Sequence, residues 1–326
     1  MSDVLDQYFS IIEDPRCACD IKYKLKDILI LVMCATLCGQ DSLERIVQYG
    51  EIKAEYLRKT FGIERTPSKS TLSRVLSTID AKAVVSSIVS IMREMLGTSG
   101  RVVAIDGKAI CSTANMKTTQ ALHILTAYLT ENGVTLGQVN VHEKTNEIPL
   151  MQDLLQMIQV KGKVVTADAM HCQTETCAKI IEAEGDYLLQ VKGNQPDLLD
   201  NVKLFMDDMI KTDVNALDYA QTVEKNRGRH EERTCYVSSD VDWFDRKQAW
   251  QGLRQFAAIK RLVRKDDKET VEWHYYITSV GEEAEKILLY ARDHWKIESM
   301  HWQLDYPRTF VIREEAPHSC FYQHSA

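Results

Sequence analysis

The sequence predicts an α+β protein, helical over residues 1–96 and built on a β-sheet from residue 101 onward. Three observations carry this. Apolar residues recur at helical spacing through the first 96 positions, the glycine-bounded stretch GTSG at 97–100 ends that pattern, and short β-branched runs follow, two of them leading into aspartate. With 326 residues, 44% hydrophobic and 27% charged, 14 Gly and 6 Pro, the chain is neither fibrous nor disordered and is long enough for one large or two modest domains.

Within the helical block, residues 26–37 carry a dense apolar stripe, 43–61 are amphipathic, and 70–79 and 84–96 repeat apolar residues at helical spacing after the start signal Thr66-Pro67-Ser68. The longest apolar run, ILILVMCATLC at 28–38, falls short of the roughly 18 residues needed to cross a bilayer, so a buried helix and no membrane partner are expected. The start, MSDVLDQYFS, lacks the positive region of a secretory signal, which makes the cytoplasm the expected compartment. Nine cysteines, an odd number with no CxxC pair, argue against a disulfide framework or a zinc ribbon.

After the break, residues 101–105 (RVVAI) read as a strand running into Asp106-Gly107-Lys108. Strands at 123–130 and 134–142 flank the hairpin signal Asn132-Gly133. A helix at 148–158 and a fourth strand, KVVT at 163–166, lead to Asp168. A helix at 176–184, an apolar run at 187–191, strand-like runs at 233–238, 255–263 and 271–280, and a helix at 282–304 complete the pattern. Strand, strand, strand, helix, strand, with carboxylates after the first and fourth strands, is the skeleton of a ribonuclease-H-like fold.

Asp106 and Asp168 are candidate catalytic residues because strand ends in an open α/β sheet border the crevice where ligands sit; a plain turn role for Asp is the alternative. The third candidate is Glu298. In DHWKIESMHWQLD at 293–305, His294, Glu298, His301 and Asp305 fall on one helix face beside Trp295 and Trp302, a mixture that belongs in a cleft. Three carboxylates at one cleft suit hard divalent ions, Mg2+ or Mn2+, and a pair of such ions can drive in-line phosphoryl displacement. Zinc held by His294, His301 and Glu298 is a rival without the usual HxxxH or HExxH spacing.

The stretches AIDGK (104–108), KTNEIP (144–149), TADAMHCQ (166–173), LLQVKGNQ (188–195), GRHEER (228–233) and DHWKIESMHWQLD (293–305) resemble the ISAs-type insertion-sequence transposases of bacteria, the H-repeat-associated proteins. The likeness runs from about residue 6 to Asp305. It implies a helical transposase-associated region at 1–96, open to a DNA-binding role, and a DDE catalytic domain of ribonuclease-H-like α/β fold at 101–305. It also implies a β-rich insertion at about 196–281, while residues 306–326, past the end of the likeness, form an atypical tail. Asp106, Asp168 and Glu298 would be the catalytic, metal-binding triad for two ions; His294, His301 and Asp305, placed by helical spacing on the face of Glu298, are read as helix-face support. The implied partners are double-stranded DNA at the insertion-sequence ends and target DNA, engaged by a homo-oligomer.

The net charge of −7 offers no global footprint for DNA, so binding must rest on local patches. Residues 225–265 hold 11 basic and 5 acidic side chains. Within them Arg229 and Arg233 are candidate phosphate contacts, with ion pairs to Glu231 or Glu232 as the alternative. Lys192, Asn194 and Gln195 match a motif of the family the chain resembles and are candidates for polar contacts to DNA or to a carboxylate, with a simple turn at Lys-Gly-Asn as the alternative. Lys69 and Arg74, in SKSTLSRVLSTI at 68–79, face a groove or are solvated cations on a packed helix. The expected function is a DNA transposase using two-metal cleavage and strand transfer; a catalytically degenerate DNA-binding protein and a metal-dependent DNA nuclease are the alternatives. Family members continue past the position of Asp305, whereas here only YPRTFVIREEAPHSCFYQHSA follows, from which a weakened or inactive transposase with an irregular tail is expected.

Overall fold

The computed structural model describes residues 2–17, 21–110, 122–141, 147–226, 228–265 and 268–305. The expected tail at 306–326 lies outside them, as does the side chain of Asp305. The chain divides into two units: residues 1–97 with 109–122 and 301–326, and residues 98–108 with 123–300.

The first unit holds six helices among the described residues: α1 (Ser2–Phe9), α2 (Leu25–Leu37), α3 (Leu43–Ile52), α4 (Ala54–Phe61), α5 (Lys69–Leu76) and α6 (Ala81–Leu96). Their starts follow local chemistry. Ser42 accepts from the Arg45 N–H, Ser68 from that of Thr71, and Asp80 from that of Lys82, each satisfying a donor that a helix N-terminus leaves open. The amphipathic stretch at 43–61 is two helices, separated at Lys53. Leu5, Phe9, Ile28, Leu31, Ile46, Leu72 and Leu76 meet in one core. Among the described residues no single helix is long and apolar enough to cross a membrane.

The second unit is organised by a nine-stranded sheet in the order β3-β2-β1-β4-β5-β9-β8-β7-β6. Its first part comprises β1 (Val102–Ile110), the hairpin β2 (Leu122–Leu129) and β3 (Val134–Val141), helix α7 (Glu147–Met157), β4 (Val164–Ala167), helix α8 (Thr174–Glu182) and β5 (Asp186–Val191). Strands β1, β4 and β5 run parallel, while β2 and β3 are antiparallel around a turn with Gly133 at φ 69°. Val102 to Ile105 and all of β4 are buried, as strands covered on both faces must be. Strand β1 does not stop at residue 105 but continues through Asp106, so that aspartate is a strand residue rather than a turn residue.

The stretch 196–281 begins with a helix that the sequence reading did not anticipate, α9 (Pro196–Thr212), followed by β6 (Asp218–Asn226), β7 (Arg229–Ser238), β8 (Gln255–Lys265) and β9 (Lys268–Thr278). These strands are antiparallel to one another and extend the main sheet, because β9 pairs with β5 through Leu188↔Thr278 and Gln190↔Tyr276. The anticipated helix at 282–304 is two, α10 (Ala284–His294) and α11 (Lys296–Asp305), broken at Trp295. Helix α10 is capped by the Asp218 carboxylate, which accepts from the Ala284 N–H at 2.7 Å. It packs through Ala284, Ile287, Leu288 and Ala291 onto Cys235, Val237, Ala257 and Ile259.

Candidate active site

Parallel pairing of β1 with β4 sets Ile105 beside Ala167, and the next residue on each chain is Asp106 and Asp168. Asp106, still within β1, and Asp168, the first residue past β4, therefore follow that pair at the same level of adjacent strands, and neighbouring strands stand only about 4.8 Å apart. Asp106 accepts from the Gly107 N–H at 2.8 Å. Asp168 is exposed and opens a single turn of 3-10 helix, Ala169–His171.

Asp168 and Glu298 line one solvent-open cleft, together with Thr166, Leu188, Gln190, Lys192, Tyr276, His294 and Trp295. Strand alternation explains much of this lining: Thr166 lies two residues before Asp168, and Leu188, Gln190 and Lys192 are two apart, so each set shares a face. That alternation is the signal by which Thr166 and Gln190, missed in the sequence, were legible. His294 is tied to β4 by a 3.0 Å contact between its Nδ1 and Thr166 Oγ1. Trp295, 54% exposed, marks the break between α10 and α11. His301 is buried and does not line the cleft.

His171 is buried; desolvation holds its ring below the ordinary imidazole range, against the opposing pull of Asp168 and Asp106. Desolvation also depresses His274, which touches Gln190 Nε2 through its Nδ1 at 2.8 Å. The Tyr276 phenol is pushed up by desolvation and, secondarily, by Cys235 and Asp168. In kind, three carboxylates are the donors a hard divalent ion takes. In spacing they are open: among the described residues no three carboxylate, histidine or cysteine side chains stand together as a metal-binding group.

The remaining candidates have defined surroundings. Asn194 Nδ2 donates to the Ala169 carbonyl at 2.6 Å, and Gln195 Nε2 donates to the Cys172 carbonyl and to Gln173 Oε1, both at 3.0 Å. Further along the cleft face of the sheet, beyond His274, buried Glu231 pairs with Arg229 at 2.8 Å, Arg233 at 2.5 Å and Arg261 at 2.6 Å. Burial pushes the Glu231 carboxyl up, but Arg261, Arg233 and Arg229 outweigh it and hold the group below the usual carboxylate range. Glu224 joins this network through Arg233 and Arg292. In the helical unit, α5 buries Leu72, Val75 and Leu76 and leaves Arg74 exposed, while Lys69 pairs with Glu44.

Two family models match the chain, "DDE_Tnp_1-associated" over residues 7–90 and "Transposase DDE domain" over 97–306. Among relatives, "Putative transposase YncI" of Escherichia coli O157:H7 is 37% identical over 311 residues, covering 91% of this chain and 78% of its own. "H repeat-associated putative transposase YhhI" of Escherichia coli K12 is 33% identical over 315 residues, covering 92% and 82%. A solved piggyBac transposase synaptic complex with hairpin DNA has a TM-score of 0.41 at 11% identity, covering 93% of this chain and 64% of that one, a likeness too slight to define the fold. On the match over residues 97–306 and on these relatives, the chain belongs to the DDE-type insertion-sequence transposases.

Proposed function

We propose that the chain cuts DNA at the ends of an insertion sequence and joins the freed 3′ hydroxyl to target DNA, using Asp106, Asp168 and Glu298 as its catalytic triad. The observation that supports this is the register of β1 on β4, which puts Asp106 and Asp168 directly after the paired Ile105 and Ala167, together with the cleft that Asp168 and Glu298 line. Parallel β1, β4 and β5 flanked by the β2–β3 hairpin support a ribonuclease-H-like core. On this reading residues 1–96 serve DNA recognition and 101–305 catalysis.

Membership of the family implies divalent-metal dependence. Two Mg2+ or Mn2+ ions are the form we propose, with Asp106 and Asp168 as the principal holders and Glu298 as the third donor. When bound, they supply Lewis-acid stabilisation of the attacking and leaving oxygens. The chain's own residues do the rest. Lys192 at the cleft offers an ammonium to non-bridging phosphate oxygens. His294, fastened to Thr166, steadies the turn before Glu298. Arg229 and Arg233, oriented by Glu231, and Lys69 and Arg74 in the helical unit are the proposed backbone contacts on double-stranded DNA. The working form is a homo-oligomer on DNA, in the cytoplasm.

A cleavage-and-joining assay on DNA flanking the element tests this. Wild-type protein should nick and join only with a divalent ion, while Asp106→Asn and Asp168→Asn should abolish both steps and leave DNA affinity nearly unchanged. Nicking by Asp106→Asn would overturn the triad. Cleavage without joining would make the protein a nuclease, and binding without either would make it a DNA-binding protein.

A further inference from the structure

We propose that Asn194 and Gln195 are positioning residues that lock the loop carrying Asp168, and are not DNA contacts. The inference rests on the reading of Asp168 as a catalytic carboxylate. The turn KGNQ divides its side chains: Lys192 lines the cleft, whereas the amides of Asn194 and Gln195 hydrogen-bond to residues 169–173. The turn itself is closed by the Gln195 N–H, which donates to the Lys192 carbonyl at 3.0 Å. Because β4 and β5 are parallel neighbours, the loops that follow them leave the same end of the sheet, close enough for such bonds.

The loop after β4 has few backbone hydrogen bonds of its own, although Ala169, His171 and Cys172 are buried. It makes one turn of 3-10 helix, with the His171 N–H donating to the Asp168 carbonyl at 2.9 Å and the Cys172 N–H to that of Ala169 at 3.0 Å. Such short turns have poorer hydrogen-bond geometry than an α-helix. Asn194 and Gln195 supply outside contacts at both ends of the turn, on the Ala169 and Cys172 carbonyls, while Gln173 Nε2 donates to the Met170 carbonyl between them. All three acceptors of the two amides are oxygens. Only a donor fits, so aspartate or glutamate of the same shape would set oxygen against oxygen. A metal-ligating carboxylate tolerates little looseness, and groups that orient such ligands typically change metal affinity or activity by about 10- to 100-fold when removed.

The test compares Asn194→Asp, Asn194→Ala and Gln195→Ala with wild type in the full-length protein. Readouts are DNA affinity with Ca2+, cleavage rate at saturating DNA, Mn2+ binding followed by electron paramagnetic resonance without DNA, and amide hydrogen exchange over residues 168–173. Positioning predicts cleavage slower by about 10-fold or more and Mn2+ binding weaker by a similar factor. It also predicts faster exchange confined to that loop and DNA affinity within about 2-fold, because no phosphate contact is lost. Asn194→Asp should be worse than Asn194→Ala, since it adds repulsion to the lost bond. DNA affinity falling in step with cleavage, or wild-type Mn2+ binding and exchange in all three variants, would overturn the proposal. Should Asn194→Asp not fold, the two alanine variants decide by the same readouts. Asp168→Asn separates the two levels: if it cleaves normally the active-site reading fails, whereas if it is dead and the amide variants behave as wild type only the positioning role fails.

Discussion

Thr166 Oγ1 and His294 Nδ1 stand 3.0 Å apart, joining strand β4 two residues before Asp168 to the last residue of α10, four residues before Glu298. The bond thus links the segments that lead into two proposed catalytic carboxylates, Asp168 just past β4 and Glu298 on α11 beyond the break at Trp295. Thr166→Val keeps the shape and removes the hydroxyl. The loss in stability should stay within about 1–3 kcal/mol, while cleavage at saturating DNA should fall about 10-fold, in the range seen for groups that orient metal ligands. Urea denaturation and single-turnover cleavage measure the two. A variant that cleaves at the wild-type rate would show that this contact does not govern Glu298.

Glu231 is the hub for Arg229, Arg233 and Arg261, and the arginines are 20–40% exposed at their side chains. Glu231→Gln leaves three cations facing one another over a neutral amide. Full burial would make such a loss cost about 3–5 kcal/mol, but solvent screens these arginines, so about 1–3 kcal/mol is expected by urea denaturation. If the arginines also meet phosphates, Arg229→Ala should lower the salt dependence of DNA binding by about one unit of slope. An unchanged slope would assign Arg229 to the ion-pair network alone.

The depressed rings of His171 and His274 make a pH prediction. Each binds a proton more readily in the unfolded chain than in the folded one, so their contribution to stability is present above the ordinary imidazole value near 6.5 and is lost as pH falls through it toward the lower folded value. Melting temperature should therefore drop between about pH 7.5 and 5.5, before the carboxylates titrate. His274→Asn should flatten part of that slope. An identical slope in the variant would mean that His274 is not among the groups responsible.

What could be read from the sequence was what is local. Ser68 as a helix start, the Asn132-Gly133 turn and the two aspartates after β-branched runs all rest on chemistry within a few residues, and each has its counterpart in the structure. Helix α9 was legible in principle: Pro196 stands in its first turn, and buried Leu198, Val202 and Met206 follow four apart. The pairing of β9 with β5 was not, because it joins residues some 90 positions apart and no periodicity encodes a partner. The same holds for Asn194 and Gln195. Their composition marks a turn, and only the parallel sheet brings them to the carbonyls beside Asp168.

Gly252, in the turn before β8, separates two costs that one substitution imposes together. Its φ of 78° is left-handed, and a Cβ there would lie 2.5 Å from Ile181 Cδ1 and 2.8 Å from Ile181 Cγ1. Ile181 belongs to α8, the helix that follows the Asp168 loop. Alanine at 252 incurs about 1–2 kcal/mol for the left-handed backbone and about 1–3 kcal/mol for overpacking, so a loss of about 2–5 kcal/mol in urea denaturation is expected from their sum. Ile181→Val removes the Cδ1 that the new methyl would strike first. In that background the overpacking part should shrink by about 1 kcal/mol or more while the backbone part persists, a coupling that a double-mutant cycle reads directly. Additive losses would mean that the backbone conformation alone selects glycine at this position.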